Sequence, residues 1–287
     1  MNGRAEPLEP GLYFVSTPIG AARDITLRAL DILRTADVLA AEDTRTLRHL
    51  MDIHGIPVGQ REIVAYHDHN GPGALPRLMA HLAEGRAVAY ASEAGTPLVA
   101  DPGFALGREA AAAGHPVRSA PGASAVLAAL TVSGLPTDRF LFAGFPPAKG
   151  AARREWLAEL AGLAATVVIY ETPHRIRETL GDLMVTFGRG RRAALCRELT
   201  KRFEEVMRDT LENLSEKVAA TPPKGEIVLV IDRAPPRATD AGDVRLALQD
   251  ALRTLSVKDA AQAVAEATGM PRRDVYRLAL GLAGARG

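Results

Sequence analysis

The sequence predicts an α/β protein: two α/β domains followed by a small helical domain. Three observations carry this. Between residues 11 and 119, short apolar runs alternate with helix-like stretches at the spacing of a parallel sheet covered by helices. At Pro121-Gly122 the rhythm breaks, and residues 120–233 read as a second α/β half, richer in antiparallel pairings. APPRATDAG (234–242) is a linker by composition, and only helical patterns follow over 243–287.

The elements follow in order. Residues 12–15 form a strand, and TPIG (17–20) turns the chain. Asp24 is a candidate cap for a helix carrying Leu27, Leu30, Ile32 and Leu33 at helical spacing. Strands follow at 38–41, 63–66, 87–91 and 117–119, with helices at 75–83 and 104–113, the latter stopped by Gly114. The second half opens with an Ala-rich helix at 123–133 and a strand at 140–142. Next come a loop at 145–150, a helix at 152–163, a strand at 166–170 and a helix at 174–187. Strands at 193–197, 205–210 and 225–231 complete it. In the tail, Ser256 with Asp259 forms a capping-box-like start to a helix at 257–268, which Gly269 ends. Pro271 suits the first turn of a helix at 272–282, giving a helix-turn-helix-like pair.

Composition bounds the function. A net charge of +1 does not announce a nucleic-acid binder, but only five of the 35 basic residues are Lys, and guanidinium forks suit phosphate and carboxylate partners. Cys196 stands alone, which excludes an internal disulfide and a cysteine-based zinc cluster and fits a reducing compartment. No apolar run approaches the roughly 18 to 20 residues of a membrane span, and MNGRAEPLEPG has no apolar signal core, so a cytoplasmic location without membrane attachment is expected.

The familiar nucleotide motifs are absent: no G-x-G-x-x-G follows a strand, and there is neither a P-loop nor a G-x-S-x-G elbow. A parallel sheet still places its ligand at the carboxyl ends of its strands. Those ends carry TPIG (17–20), AEDTR (41–45), YHDHN (66–70) and SEAGTP (92–97), loops that combine polar groups with tight-turn residues. His67 and His69 could share a metal at i, i+2, but no third ligand is specified, so substrate contact is the better expectation and no metal is assigned.

These loops in order resemble the tetrapyrrole methylase superfamily, and within it the branch of small-subunit ribosomal RNA methyltransferases. LYFVSTPIG (12–20), DITLRAL (24–30), AEDTR, YHDHN, SEAGTP with DPG (101–103) and PGAS (121–124) carry the match through the first half. SGLPTDRF (133–140), YETPHR (170–175), RELTK (197–201) with Glu204 and Glu205, and GEIVL (225–229) carry it through the second. The resemblance covers roughly 11–232, and the tail resembles that branch's extra domain. Three places depart from the branch: Glu93 stands where Asp is usual, Gly20 is followed by Ala21-Ala22 rather than Asn-Leu, and the 145–150 loop is poorer in Lys.

The resemblance implies a tetrapyrrole-methylase-like fold with the cofactor cleft between the two α/β domains, and a homodimer. It implies S-adenosyl-L-methionine as cofactor and the 2′-O-methylation of a cytidine ribose in the decoding region of 16S rRNA, within the small ribosomal subunit. It places Ile19, Ser92, Glu93, Gly95, Thr96, Ser124, Ala125, Tyr170 and Glu226 near the cofactor. An acidic, small-residue turn is tolerable there because this cofactor has no phosphate. A ribose hydroxyl is a poor nucleophile, and Asp43, Glu171, Glu198 and Lys201 (if its pKa is lowered) are candidate catalytic groups beside the loop histidines. Arg45, Arg175 and Arg197 each follow a strand-end motif and are expected to face one cleft and bind RNA with His67 and His69. On that reading, replacing Arg175 or Arg197 with Ala impairs methylation more than cofactor affinity. Two other readings stay open on the residues alone: a methylase of small tetrapyrroles, and a nucleic-acid-binding regulator built on the last two helices.

Overall fold

A computed structural model describes residues 7–67, 71–100, 102–235 and 241–284. Continuous apolar runs such as VLAA, AVAYA and IVLVI are buried on both faces, as strands in the middle of a helix-covered sheet must be. The chain falls into two compact bodies, Met1–Arg233 and Ala234–Gly287. The first body is built on two five-stranded sheets.

The first sheet contains β1 (Gly11–Val15), β2 (Val38–Ala41), β3 (Glu62–Ala65), β4 (Ala87–Ala91) and β5 (Val117–Ala120), in the order β3-β2-β4-β1-β5, every pair parallel. Strand alternation sorts its side chains into two cores. Tyr13, Val15, Leu39 and Ala89 pack with α1 (Leu27–Thr35) and α2 (Thr44–Ile53). Leu12, Phe14, Val88 and Tyr90 pack with α3 (Gly71–Ala83) and α4 (Phe104–Ala112). The helices that follow β1 and β4 therefore lie on opposite faces. The carboxyl ends of those two strands form the kind of crevice where ligands bind open α/β sheets.

The second sheet follows α5 (Ala125–Ser133). It contains β6 (Phe140–Gly144), β7 (Thr166–Glu171), β8 (Arg192–Arg197), β9 (Glu205–Thr210) and β10 (Ile227–Ile231), in the order β6-β7-β10-β8-β9. Only β6–β7 is parallel; the other three pairs are antiparallel, as the second half's pattern suggests. One face packs α6 (Gly150–Ala161), α7 (Ile176–Phe187) and α8 (Leu211–Ala220). The other face packs α5 together with Ile19 and Leu199, so the turn after β1 is built into the core of the second sheet.

One local expectation is corrected, and two features are added. Thr26, not Asp24, caps α1, with its side chain accepting from Ala29 N–H. The helix α2 and most of the first turn of α3 were not expected from the sequence. Arg153 and Arg154, at the start of α6, bind the Asp182 carboxylate (2.7 and 3.3 Å), and the Arg153 side chain is buried between α6 and α7.

The second body consists of α9 (Ala241–Ala251), α10 (Val257–Thr268) and α11 (Arg272–Gly284) around Val244, Leu248, Val264, Val275 and Ala279. Ser256 accepts from Asp259 N–H (3.2 Å) and donates its hydroxyl to the Asp259 carboxylate (2.7 Å). Gly269 ends α10 in the left-handed conformation (φ 69°). No helix among the described residues is long and apolar enough to cross a membrane.

Candidate active site

The turns after β1 and β4 are laced together. Thr17 and Gly95 exchange both backbone hydrogen bonds (2.9 and 3.1 Å), and the Thr17 hydroxyl donates to Ser92 O (3.2 Å). Thr96 donates its hydroxyl to Ala123 O (2.9 Å), which ties in the turn after β5. Gly95 needs its φ of 81°, and a Cβ there would press on Ile19 at 3.3 Å. Close backbone approach thus brings three strand ends to one point.

Beside that point lies a cavity of about 270 Å³ between the two sheets. Its first wall is Ile19, Ala94, Gly95, Thr96, Val99 and Ala100; its floor is Ser124 and Ala125 at the start of α5. Phe145, Tyr170, Glu171, Thr172 and Pro173 form a second wall, and Gly225, Glu226, Ile227 and Val228 a third. Tyr170 lies between Phe142 (ring centres 4.7 Å apart, tilted) and Phe145 (5.4 Å, edge-on), which makes one wall aromatic. The Ser124 side chain makes no cap hydrogen bond, so first-turn N–H groups of α5 stay available to an acceptor. Leu98 and Ala100 hold positive φ (72° and 60°), a strained backbone of the kind that collects at functional sites.

Of the residues predicted near a cofactor, Ile19, Gly95, Thr96, Ser124, Ala125, Tyr170 and Glu226 line this cavity, whereas Ser92 and Glu93 do not. Ser92 is buried, and its hydroxyl has no hydrogen-bond partner among the described residues. Glu93 is exposed and close enough to Arg45 to help hold that guanidinium charged, so the acid of the SEAGTP turn belongs to an outer rim with Asp43 and Arg45.

The candidate catalytic groups are already engaged. Asp43 caps α2 and binds Arg45 through its backbone N–H and its guanidinium (both 2.7 Å). The guanidinium hydrogen bond, then the backbone one, hold this carboxylate at about 2, too weak a base to take a ribose proton at neutral pH. Glu171 is buried and accepts from Thr172 N–H (2.8 Å) and Thr179 Oγ1 (2.5 Å), with Arg175 Nε at 3.5 Å. Glu198 accepts from Glu226 N–H (3.0 Å) and Lys201 Nζ (3.1 Å), and these bonds lower its pKa against the cost of burial. Lys201 also donates to the Glu226 carboxylate (2.9 Å). Burial works to lower its pKa, but the two carboxylates outweigh it and the net shift is upward. The condition for Lys201 as a base, a lowered pKa, is not met; it stands as a cation.

Each of the three predicted RNA-facing arginines is engaged by a local partner. Arg175 donates to the carbonyls of Pro146 (2.5 Å) and Pro147 (3.3 Å) and so holds the loop that carries Phe145. Arg197 donates to the Glu205 carboxylate (2.7 Å) and Lys224 O (3.4 Å). Only the Arg45 side chain is widely open, at 89% exposed. Arg175 supports a cavity wall, so Arg175→Ala is now expected to lower cofactor affinity as well as methylation. His67 follows the edge strand β3 and does not line the cavity; His69 and Asp101 lie outside the described residues. Burial pushes the Cys196 thiol up to about 11, so it is no nucleophile. Phe145, Pro173 and Gly225 were missed by sequence reasoning, although Gly225 lies two residues before a fully apolar strand.

If Asp43 were the base, Asp43→Asn would lower the methylation rate by at least about a hundredfold. As a cap and ion-pair partner it should do far less, since Asn caps as well as Asp. Rates within about fivefold of wild type are expected. The stabilisation from the depressed carboxylate is present above its ordinary value of 3.8 and lost as pH falls toward about 2. Acid titration of the melting temperature of both forms checks this.

Two sheets meeting at such a cavity, the first fully parallel, define a class. Residues 11–215 match the family described as Tetrapyrrole (Corrin/Porphyrin) Methylases, and residues 238–283 match the RsmI C-terminal HTH domain. Among solved structures, a conserved hypothetical protein from Aeropyrum pernix aligns at TM-score 0.60 with 20% identity, covering 95% of this chain and 96% of its own. A cobalt precorrin-4 methyltransferase aligns at 0.59 with 15% identity, covering 77% and 94%. These likenesses show the fold.

The chain belongs to the ribosomal RNA small subunit methyltransferase I family within that superfamily. A member from Mesorhizobium japonicum is 47% identical over 97% of this chain and 94% of its own. Members from Xylella fastidiosa (44%; 93% and 98%) and Synechocystis (41%; 94% and 98%) are similarly close.

Proposed function

We propose that the protein transfers a methyl group from S-adenosyl-L-methionine to 16S rRNA of the small ribosomal subunit, at the 2′-oxygen of a cytidine ribose in the decoding region. The carrying observation is a largely apolar cavity with helix N–H donors and a carboxylate, embedded in a chain 41–47% identical to relatives named for small-subunit rRNA methylation.

The residues fit this cofactor. No arginine or lysine lines the cavity, so nothing there asks for a phosphate. The first-turn N–H groups of α5 suit a carboxylate, the Tyr170–Phe145 wall suits a planar base, and the Glu226 carboxylate suits a cationic centre. When bound, the cofactor supplies an activated methyl group; the chain's part is to bind, orient and exclude water. With Asp43, Glu171 and Glu198 each held by donors, proton removal is not assigned to a carboxylate. Lys201, kept protonated with two of its three N–H groups engaged, is the group we assign to stabilise negative charge developing on the ribose oxygen. We expect a cytoplasmic homodimer.

Calorimetry with S-adenosylmethionine and primer-extension mapping of ribose methylation in a deletion strain test the proposal. Micromolar binding and one restored 2′-O-methyl-cytidine on complementation are expected. A chain that binds no cofactor, or methylates precorrin-type substrates instead, would overturn it.

A further inference from the structure

Phe203 is 63% exposed, and none of the roles assigned above uses it. The guanidinium of Arg202 lies 5.4 Å from its ring centre. A lone exposed aromatic is ordinary; what supports it here is not. The segment from Glu198 to Glu204 holds two non-glycine residues at positive φ, Glu198 (51°) and Thr200 (63°). That conformation is costly and persists only where surroundings impose it.

Several contacts impose it. Glu198 N–H donates to Glu226 O (3.0 Å), and Lys201 N–H to Glu198 O (2.9 Å). Thr200 N–H donates to the Glu204 carboxylate (2.6 Å), while the Thr200 hydroxyl accepts from Ala21 N–H (3.1 Å). A Cβ on Gly20 would stand 2.5 Å from both Thr200 Oγ1 and Lys201 Cγ. The loop is thus clamped to the turn after β1 on one side and to the Gly225–Glu226 wall of the cavity on the other.

The charges around Phe203 sort in one direction. Glu205 is neutralised by Arg197, and the Glu204 carboxylate is drawn back onto Thr200 N–H. Arg202 makes no ion pair among the described residues and remains available to one. We propose that Phe203, flanked by Arg202, is a stacking platform for an unpaired base of the RNA substrate, held at a fixed distance from the cavity by the strained loop. An aromatic face accepts any base, and a neighbouring guanidinium adds cation–π and phosphate contact. The inference rests on the RNA-methyltransferase reading.

The test uses full-length wild type, Phe203→Ala, Phe203→Leu and Phe203→Trp. With small subunits from a strain lacking the enzyme, Ala and Leu should lose about tenfold to a hundredfold in kcat/KM, mostly through KM, while Trp stays within about twofold. Cofactor affinity by calorimetry should not move. The added indole emission of F203W should be quenched by a short unpaired oligoribonucleotide. Wild-type kinetics for Ala, full activity for Leu, or an unquenched F203W would each overturn the platform. If F203W is quenched while wild type fails to methylate subunits, the substrate reading falls and the platform stands.

Discussion

Gly225→Ala is expected to weaken S-adenosylmethionine binding by at least about tenfold while the chain stays folded. Gly225 sits at φ 84°, where any side chain is strained, and an added Cβ would lie 2.3 Å from Glu198 Oε1 and 2.4 Å from its Cδ. The carboxylate must move. It is the acceptor that holds both Glu226 N–H and Lys201 Nζ, so one methyl group unfastens a wall of the cavity. The backbone strain itself costs about 1–3 kcal/mol, a drop in melting temperature of several degrees, short of unfolding.

A double-mutant cycle tests the route. If Gly225→Ala acts through the displaced carboxylate, its effect on affinity shrinks in a Glu198→Ala background. Equal losses in both backgrounds would mean that strain alone is responsible. The same lock sets a pH window. The lowered pKa of Glu198 gives stability that is present above its ordinary 4.5 and lost as pH falls through the folded value. The raised pKa of Lys201 gives stability that is present below 10.5 and lost as pH rises through the folded value. Cofactor affinity should therefore be flat between these limits as far as this pair is concerned.

The frame of the molecule was legible because burial writes itself into sequence. Strands covered on both faces must be apolar throughout, so residues 38–41, 87–91 and 227–231 declared themselves. The helix α2 did not, because TRTLRHLMDI buries only Leu47 and Met51 and leaves a polar remainder. Motif order brought the strand-end loops together, and seven of the named residues do line one cavity.

What each polar group does there was not legible, since a group's chemistry depends on partners that only folding supplies. Glu171 at the end of β7 meets Thr179 on α7, Arg175 reaches Pro146, and Glu198 reaches Glu226 between strand ends. The acid of the SEAGTP turn shows the same limit. The family resemblance placed it near the cofactor, but the backbone bridge at Gly95 leaves Glu93 on the rim beside Arg45.

Glu171→Ala should cost the fold about 3–5 kcal/mol, the range for removing one partner of a buried ion pair. The Glu171 side chain is fully buried, and its loss leaves Thr172 N–H and the Thr179 hydroxyl without their acceptor and the Arg175 guanidinium without its ion-pair partner. The damage also travels. Arg175 is fixed between Glu171 and the carbonyls of Pro146 and Pro147, so the loop bearing Phe145 loosens and cofactor affinity falls with stability. Glu171→Gln keeps the volume but turns an amide donor toward existing donors, so an intermediate loss of about 1–3 kcal/mol is expected. Thr179→Val, which removes a donor and leaves the carboxylate its other two partners, should cost less still. Thermal melts and calorimetry on the three variants separate this from catalysis. A general base would show an unchanged melting temperature and cofactor affinity in Glu171→Gln, with the methylation rate reduced about a hundredfold or more. A positioning carboxylate shows stability and affinity falling together, in the order Ala, Gln, Val, with the rate following them.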